Sequence, residues 1–270
     1  MIDISIIDYS KFDIHEILMV LFHPRRDFCN FQSGDSYEDL LIPVEKDVAI
    51  SGRFHPTGIS APNILFFHGN GEIAADYSDI GETYNRRGIN FLVVDYRGYG
   101  RSTGNPSITS MMRDAHLIFE WTQDWLAERN YYGPLIVMGR SLGSAPALEL
   151  ASHYNNRIAG LIIESGFSYI GPLLKLLGVN IEALGIREED GPCNIDKIMT
   201  FNKPTLIIHA EYDHIIPFAE GRALYVASTA KDKRLLKIPD ADHNTIFFKG
   251  MSEYMEAIEW MIDIVSNRSA

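Results

Sequence analysis

The sequence predicts an α/β protein with an eight-stranded, mostly parallel sheet and helices on both faces. Three observations support this fold class. Most strand-length apolar segments are continuous runs rather than alternations, as in parallel strands that are buried on both faces. Helical patterns separate successive runs, as parallel connections require. A glycine-containing turn at residues 139–143 joins one such run directly to a helix.

The eight predicted strands are short. They cover residues 37–44, 47–54, 63–67, 91–94, 135–138, 158–163, 205–208 and 235–238. The first two are expected to pair as an antiparallel hairpin that leads into the sheet. The third run ends at the letters H-G-N-G and the fourth at D-Y-R-G-Y-G, where glycine breaks the apolar pattern.

Helical patterns lie between these strands. They cover residues 74–87, 108–129, 144–153, 218–227 and 251–265. The first ends at Gly88, because glycine readily terminates a helix. The second carries Trp121 and Trp125 four residues apart on one face, and the third has Ala147 and Leu148 on its inner face.

Length and charge limit the possible functions. A length of 270 residues without repeats or linkers predicts a single domain over residues 1–270. The 36 acidic residues outnumber the 24 basic ones, which argues against sequence-independent nucleic-acid binding.

Cys29 and Cys193 are expected to be free thiols in a reducing compartment. The N-terminal residues lack the basic region of a signal peptide, and the apolar run 17–22 is too short to cross a bilayer. We therefore expect a cytoplasmic protein without an integral membrane segment.

One connection is much longer than the others. Residues 167–202 replace the short loop usual between a strand and the next helix, and they contain many leucines and isoleucines. These residues could form helices that extend the core. We favour a small cap whose apolar face covers a site, because long insertions in compact domains are often lids.

The G-x-S-x-G pattern at residues 139–143 is typical of a nucleophile elbow, which exposes Ser141 at the carboxyl edge of the sheet. The pattern alone is a weak signal, since a glycine-rich turn with a helix-capping serine has the same letters. A serine hydroxyl also needs a base. Among nine histidines, His243 follows the last strand, whereas His209 and His214 are weaker candidates and His68 is expected to shape a turn.

Four signatures occur in a fixed order along the chain. They are H-G-N at residues 68–70, D-Y-R-G-Y-G-R-S at 95–102, the elbow, and a late Asp…His pair. Together they resemble the α/β-hydrolase superfamily over nearly the whole chain. The first two are most similar to a subgroup of small serine esterases and thioesterases that includes membrane-anchored depalmitoylating enzymes. L-F-H-P at residues 21–24 resembles the start of the fold in those enzymes, but no counterpart of their N-terminal anchor is expected here.

The resemblance implies roles for further residues. The turn that contains Asp213 resembles the family's acid turn, so Asp213 would orient His243; Glu211 and Glu164 remain alternatives. The charged neighbours Asp240 and Asp242 are expected to be loop residues.

The family also implies an oxyanion hole formed by the backbone N–H groups of Asn70 and Leu142. Asp95 and Arg97, in the second signature, are expected to fix loops rather than contact substrate.

The expected function is that of a serine hydrolase that cleaves an ester or thioester through an acyl-enzyme. The apolar cap suggests a hydrophobic acyl group, and the partner is a small-molecule substrate. No cofactor or metal is expected, because the histidines are scattered and no C-x-x-C, G-x-G-x-x-G or P-loop occurs. Two alternatives stay open: an amidase or peptidase with the same triad, and a non-catalytic binding protein of this fold.

Overall fold

The computed structural model describes residues 2–28 and 36–267, so Cys29 lies outside the described residues. These residues form eight strands and eight α-helices. The strands are β1 Glu38–Glu45, β2 Val48–His55, β3 Asn63–Phe67, β4 Asn90–Val94, β5 Leu135–Arg140, β6 Gly160–Glu164, β7 Thr205–Ala210 and β8 Lys233–Ile238. The helices are α1 His15–Leu21, α2 Ser78–Asn85, α3 Ile108–Glu128, α4 Ser144–His153, α5 Ile170–Leu176, α6 Asn194–Thr200, α7 Phe218–Ala227 and α8 Ile246–Asn267.

All eight strands belong to one sheet with the order β1-β2-β4-β3-β5-β6-β7-β8. Strand β2 pairs antiparallel with β1 and β4, and every pair from β4 to β8 is parallel. Every residue of β3 through β7 is buried, which explains why these strands are continuous apolar runs. The predicted eight-stranded, mostly parallel sheet is confirmed.

Helices cover both faces of this sheet. Alternate residues of β3 serve the two faces: Leu65 and Phe67 belong to an apolar cluster that includes residues of α1, α3, α4, α5, α6 and α7, whereas Ile64 and Phe66 belong to a second cluster with α2 and α8. The sheet therefore lies between two hydrophobic layers, and its carboxyl edge remains for a site.

The helices differ in detail from the prediction. The segment predicted as one helix at 74–87 begins with a 3-10 turn, Ala74–Tyr77, before α2. Helix α8 begins five residues earlier than predicted and is kinked at Gly250, where a Cβ would lie 2.5 Å from a carbon of Ile238. The apolar run 17–22, for which no element was predicted, lies mostly in α1. In residues 2–28 and 36–267, no helix has the length and hydropathy needed to cross a bilayer.

The long segment between β6 and β7 has two different halves. Its second half contains α6, which packs against α4 and α7, and Ile198 of this helix is fully buried. Its first half contains α5, which packs beside α1. The α6 half therefore extends the helical layer of the core, and the α5 half lies over the carboxyl edge of the sheet.

Candidate active site

The predicted site residues follow four strands whose carboxyl ends meet at one edge of the sheet. Asn70 follows β3, Ser141 follows β5, Asp213 follows β7 and His243 follows β8. Backbone hydrogen bonds join the last two loops, from Glu211 N–H to the Ile238 carbonyl at 3.0 Å and from Tyr212 N–H to the Ala241 carbonyl at 2.9 Å. Parallel strands thus bring together residues that are far apart in sequence.

Ser141 lies on a sharp turn between β5 and α4. Its φ of +51° is in the left-handed region, which costs a non-glycine residue about 1–3 kcal/mol. A Cβ on Gly139 would be 2.1 Å from the carbonyl oxygen of Gly143, so the turn requires glycine there. The Ser144 hydroxyl donates to the Ser141 carbonyl at 2.7 Å and holds the turn. This geometry is that of a nucleophile elbow.

The side chains of Ser141, His243 and Asp213 form a hydrogen-bonded chain. His243 Nε2 lies 3.0 Å from Ser141 Oγ, and His243 Nδ1 lies 2.7 Å from Asp213 Oδ2. All three residues are buried, with at most 9% of their surface exposed. Because an ionised carboxylate only accepts, Nδ1 of the histidine carries the proton, and Nε2 is left to accept from the serine hydroxyl.

Asp213 is held on both carboxylate oxygens. Oδ1 accepts backbone N–H groups from Ile215 at 3.0 Å and Ile216 at 2.8 Å, while Oδ2 faces His243. Burial alone would raise the pKa of Asp213, but the hydrogen bond and charge of His243 and the Ile216 N–H hold this pKa below its usual value. The carboxylate therefore stays ionised beside the imidazole.

The alternative acids have other partners. Glu211 pairs with Lys237 at 2.5 Å and accepts the Asp240 N–H. Glu164 pairs with Arg140 at 2.8 Å and accepts the Tyr254 hydroxyl at 2.7 Å. Among the described residues, neither glutamate has a hydrogen bond to any of the histidines considered as the base.

The remaining histidine and aspartate candidates serve the surrounding loops. His209 donates from Nε2 to the Ile216 carbonyl at 2.7 Å, and His214 is exposed. Asp242 caps its own turn by accepting the N–H groups of the two residues that follow His243. His68 is fully buried, with Nδ1 2.8 Å from the Gly69 carbonyl.

Two loop residues of the second signature act as scaffolding. The Asp95 carboxylate accepts the Ala74 N–H at 2.8 Å and the Ser51 hydroxyl at 2.5 Å. Arg97 binds both carboxylate oxygens of Asp114, at 2.7 and 2.8 Å. These contacts attach the loop after β4 to β2, to the 3-10 turn Ala74–Tyr77 and to α3.

The side chain of Asn70 is fixed by three hydrogen bonds. Oδ1 accepts the His23 N–H at 2.8 Å and the Tyr99 hydroxyl at 2.7 Å, and Nδ2 donates to His23 Nδ1 at 2.8 Å. The predicted role of Asn70 uses its backbone N–H rather than its amide. These three hydrogen bonds hold the Asn70 backbone at the site.

Four of the predicted residues line one cavity of about 330 Å³: Ser141, His243, Asn70 and Leu142. Its apolar walls come from α1, from α5 and the residue directly after it, and from the loop that carries Asp213. The apolar lining residues are Val20, Leu21, Leu173, Leu177 and Ile215. The contribution of α1 was missed by sequence reasoning. The signal that could have revealed it is the apolar run 17–22, directly before the segment that resembles the family.

A second group of titratable side chains lies away from this cavity. Ligand-type atoms of His116, Glu149 and His153 lie within 4.8 Å of one another, the one such group in the part of the chain that the structure describes. Glu149 also pairs with Lys197 at 2.5 Å and accepts the Tyr9 hydroxyl at 3.2 Å. The sequence pattern missed this group because His116 comes from α3 and the other two from α4. The lysine ammonium balances the carboxylate, so the contacts are those of an ion-paired cluster.

Comparisons with known proteins agree with the fold. Residues 60–184 match the family described as serine aminopeptidase, S33. Human alpha/beta hydrolase domain-containing protein 17B is 30% identical over 210 residues, which are 74% of this chain and 65% of that protein. The chain thus aligns with less than two thirds of this relative's length.

Solved structures are similar at lower identity. An esterase of Pyrococcus furiosus has a TM-score of 0.70 and 18% identity, with 91% of this chain and 98% of the esterase covered. A monoacylglycerol lipase of Paleococcus ferrophilus has a TM-score of 0.60 and 19% identity, with coverage of 80% and 98%. With its sheet order, its elbow and these similarities, the chain belongs to the α/β-hydrolase superfamily.

Proposed function

We propose that this protein is a serine hydrolase that cleaves a carboxylic ester or thioester with a hydrophobic acyl group through an acyl-enzyme. The observation that carries the proposal is the chain from Ser141 through His243 to Asp213, with distances of 3.0 and 2.7 Å, at the wall of a largely apolar cavity. Nucleophile and base in hydrogen-bond contact, with the base oriented by a third group, are the arrangement that activates a serine.

In the proposed reaction Ser141 Oγ attacks the acyl carbon while His243 Nε2 takes the hydroxyl proton. The backbone N–H groups of Leu142 and Asn70 stabilise the oxyanion, each by about 3 kcal/mol. His243 then protonates the leaving alcohol or thiol, which departs. The same imidazole next deprotonates a water molecule that attacks the acyl-enzyme, and the proton returns to Ser141. Asp213 remains ionised throughout and stabilises the imidazolium.

The apolar walls support a hydrophobic acyl group. Leu173 and Leu177 belong to the proposed cap over residues 167–202, and they line the cavity together with Val20 and Leu21 of α1. We assign the covering role within this cap to its α5 half. The names of the structural neighbours, an esterase and a monoacylglycerol lipase, also favour ester substrates. The description of the matched family, a serine aminopeptidase, makes a peptidase the second candidate.

Hydrolysis of a matched substrate series tests the proposal. We expect kcat/KM for p-nitrophenyl esters to rise from acetyl to decanoyl, and Ser141→Ala to abolish hydrolysis. Hydrolysis of an aminoacyl p-nitroanilide and of an acyl thioester, each followed by absorbance, distinguishes a peptidase from an esterase or thioesterase. Preferred cleavage of the anilide would favour the peptidase. Hydrolysis that persists in Ser141→Ala would contradict the serine mechanism, and equal kcat/KM across chain lengths would contradict the acyl pocket.

A further inference from the structure

Arg140 occupies the variable position of the G-x-S-x-G pattern directly before Ser141. Only 8% of its surface is exposed, and each of its three guanidinium nitrogens has a separate acceptor. Nε donates to Glu72 Oε1 at 2.9 Å, Nη1 to Glu164 Oε1 at 2.8 Å and Nη2 to the carbonyl oxygen of His243 at 3.0 Å. One side chain therefore joins the loop after β3, the end of β6 and the loop after β8.

The Glu72 branch reaches the proposed oxyanion loop. While Oε1 of Glu72 faces Arg140, Oε2 accepts the Gly69 N–H at 2.7 Å and the Tyr77 hydroxyl at 2.6 Å. Gly69 directly precedes Asn70, whose N–H is a proposed oxyanion donor. Because both carboxylate oxygens are engaged, movement of the guanidinium would be passed to this loop.

The His243 branch reaches the proposed base. Arg140 binds the main-chain carbonyl of the residue whose imidazole faces Ser141. The backbones of the nucleophile and the base are thus linked through one rigid group. A guanidinium presents its donors in a planar fork with fixed directions, which a lysine ammonium cannot reproduce.

The energetics of this cluster argue against a role in stability alone. One guanidinium faces two carboxylates, and moving such charges out of water costs several kcal/mol per ion. Close-packed apolar side chains at such places are often as stabilising or more so. Glu72, Arg140, Glu164 and His243 also line a cavity of about 200 Å³, so the cluster leaves space that close-packed apolar side chains would fill.

We propose that Arg140 is a positioning residue that holds His243 and the Gly69–Asn70 loop in register with Ser141. This inference rests on the proposed serine hydrolase function. Arg140 acts through other residues, because it is absent from the lining of the cavity that contains Ser141. It sets the geometry of the reacting groups without touching the substrate.

The test uses Arg140→Lys, which keeps the positive charge but loses the planar set of guanidinium donors. We expect kcat for a p-nitrophenyl ester to fall about 100-fold, the effect typical of small misplacements of reacting groups, with KM changed less than about threefold. Glu72→Gln, which keeps one acceptor oxygen, should lower kcat about tenfold. If Arg140→Lys does not fold, Glu72→Gln decides the outcome.

Arg53→Lys is the matched control. Arg53 is 7% exposed and binds both carboxylate oxygens of Asp39, at 2.7 and 3.2 Å, in β2 on the antiparallel side of the sheet. This control also removes a buried guanidinium that binds a carboxylate. Its strand, β2, is separated from β5 by two strands of the sheet. It should lower the melting temperature and leave kcat within about twofold of the wild-type value.

A second measurement does not depend on turnover. We expect the proton between His243 Nδ1 and Asp213 to give a strongly deshielded NMR signal, which should broaden or shift in Arg140→Lys and stay unchanged in Arg53→Lys. Wild-type kcat in folded Arg140→Lys and Glu72→Gln, with an unchanged signal, would overturn the inference. If the wild-type protein hydrolyses no ester, the proposed function fails, and the signal in Arg140→Lys alone then decides whether Arg140 positions His243.

Discussion

Gly143 lies so close to Phe67 that a Cβ on the glycine would be 2.0 Å from the Phe67 carbonyl oxygen. Phe67 is the last residue of β3, and Gly143 directly precedes α4, the helix after the elbow. The contact therefore joins the turn that carries Ser141 to the strand that leads into the oxyanion loop. No rotamer relieves such a clash, because the backbone alone fixes the position of a Cβ and the Phe67 carbonyl is itself a backbone group.

Gly143→Ala should destabilise the protein by about 3 kcal/mol or more, because the strand and the helix must separate to admit one methyl group. Urea unfolding of the two proteins measures this difference. Gly58→Ala is the control, since a Cβ on Gly58 would meet only the Ala61 Cβ, at 3.9 Å. Equal free energies of unfolding for the Gly143 and Gly58 variants would contradict the close approach at the elbow.

Asp213→Asn should lower kcat about 10⁴-fold with little change in stability. An asparagine amide that donates to His243 Nδ1 leaves the proton on Nε2, so the imidazole can no longer accept from Ser141. Steady-state hydrolysis of an ester measures the loss. Glu211→Gln, at the alternative acid that pairs with Lys237, should keep wild-type kcat. A larger loss in Glu211→Gln than in Asp213→Asn would reverse the assignment.

Leu177→Trp should shorten the acyl pocket. Leu177 lines the cavity that contains Ser141, whereas its neighbour Leu176 is 57% exposed and does not line it. Excluding two methylene groups costs about 1.6 kcal/mol, so kcat/KM for a decanoyl ester should fall about tenfold while the acetyl ester is unaffected. Leu176→Trp should leave both substrates unchanged. A parallel loss with both esters in Leu177→Trp would rule out this wall as a chain-length determinant.

Acidic pH should lower the free energy of unfolding, because the buried Glu149 carboxylate becomes protonated. Burial alone would raise the pKa of this carboxyl, but hydrogen bonds from His116 and Lys197 and the lysine charge lower it to about 2. Because the pKa is lower in the folded than in the unfolded chain, the stabilisation is full above about pH 4.5 and is lost as the pH falls towards 2.

Glu149→Gln should therefore be less stable than wild type by about 3 kcal/mol at pH 6, and the difference should shrink to about 1.4 kcal/mol at pH 3. Urea unfolding at both pH values measures the difference. Glu128→Gln, on the exposed end of α3, should follow the wild type at each pH. A deficit in Glu149→Gln that is the same at pH 6 and pH 3 would contradict the assignment.

Sequence reasoning succeeded where local pattern and tertiary role agree. The strands from β3 to β7 are buried on both faces, so their apolar runs predicted them directly. The elbow was predictable because the close approaches at Gly139 and Gly143 demand glycine. The roles of Ser141, Asp213 and His243 stay predictions, as does a cytoplasmic location, although the fold brings the three side chains within hydrogen-bond distance.

Other features depend on contacts between distant segments. Helix α1 has seven residues and no side-chain cap, and its place in the cavity wall follows from packing beside α5. Arg140 stands at a variable position of its motif, and its partners Glu72 and Glu164 lie 68 and 24 residues away in sequence. No local pattern relates these residues, so the cluster appears only when the sheet is assembled.

Covalent acylation of Ser141 can be detected by mass spectrometry of the intact protein. After reaction with a fluorophosphonate, or with a p-nitrophenyl ester quenched in acid, we expect one adduct, which peptide mapping places on Ser141. Ser141→Ala should remain unmodified under the same conditions. An adduct of equal yield in Ser141→Ala, or a wild-type adduct mapped to another residue, would show that Ser141 is not the nucleophile.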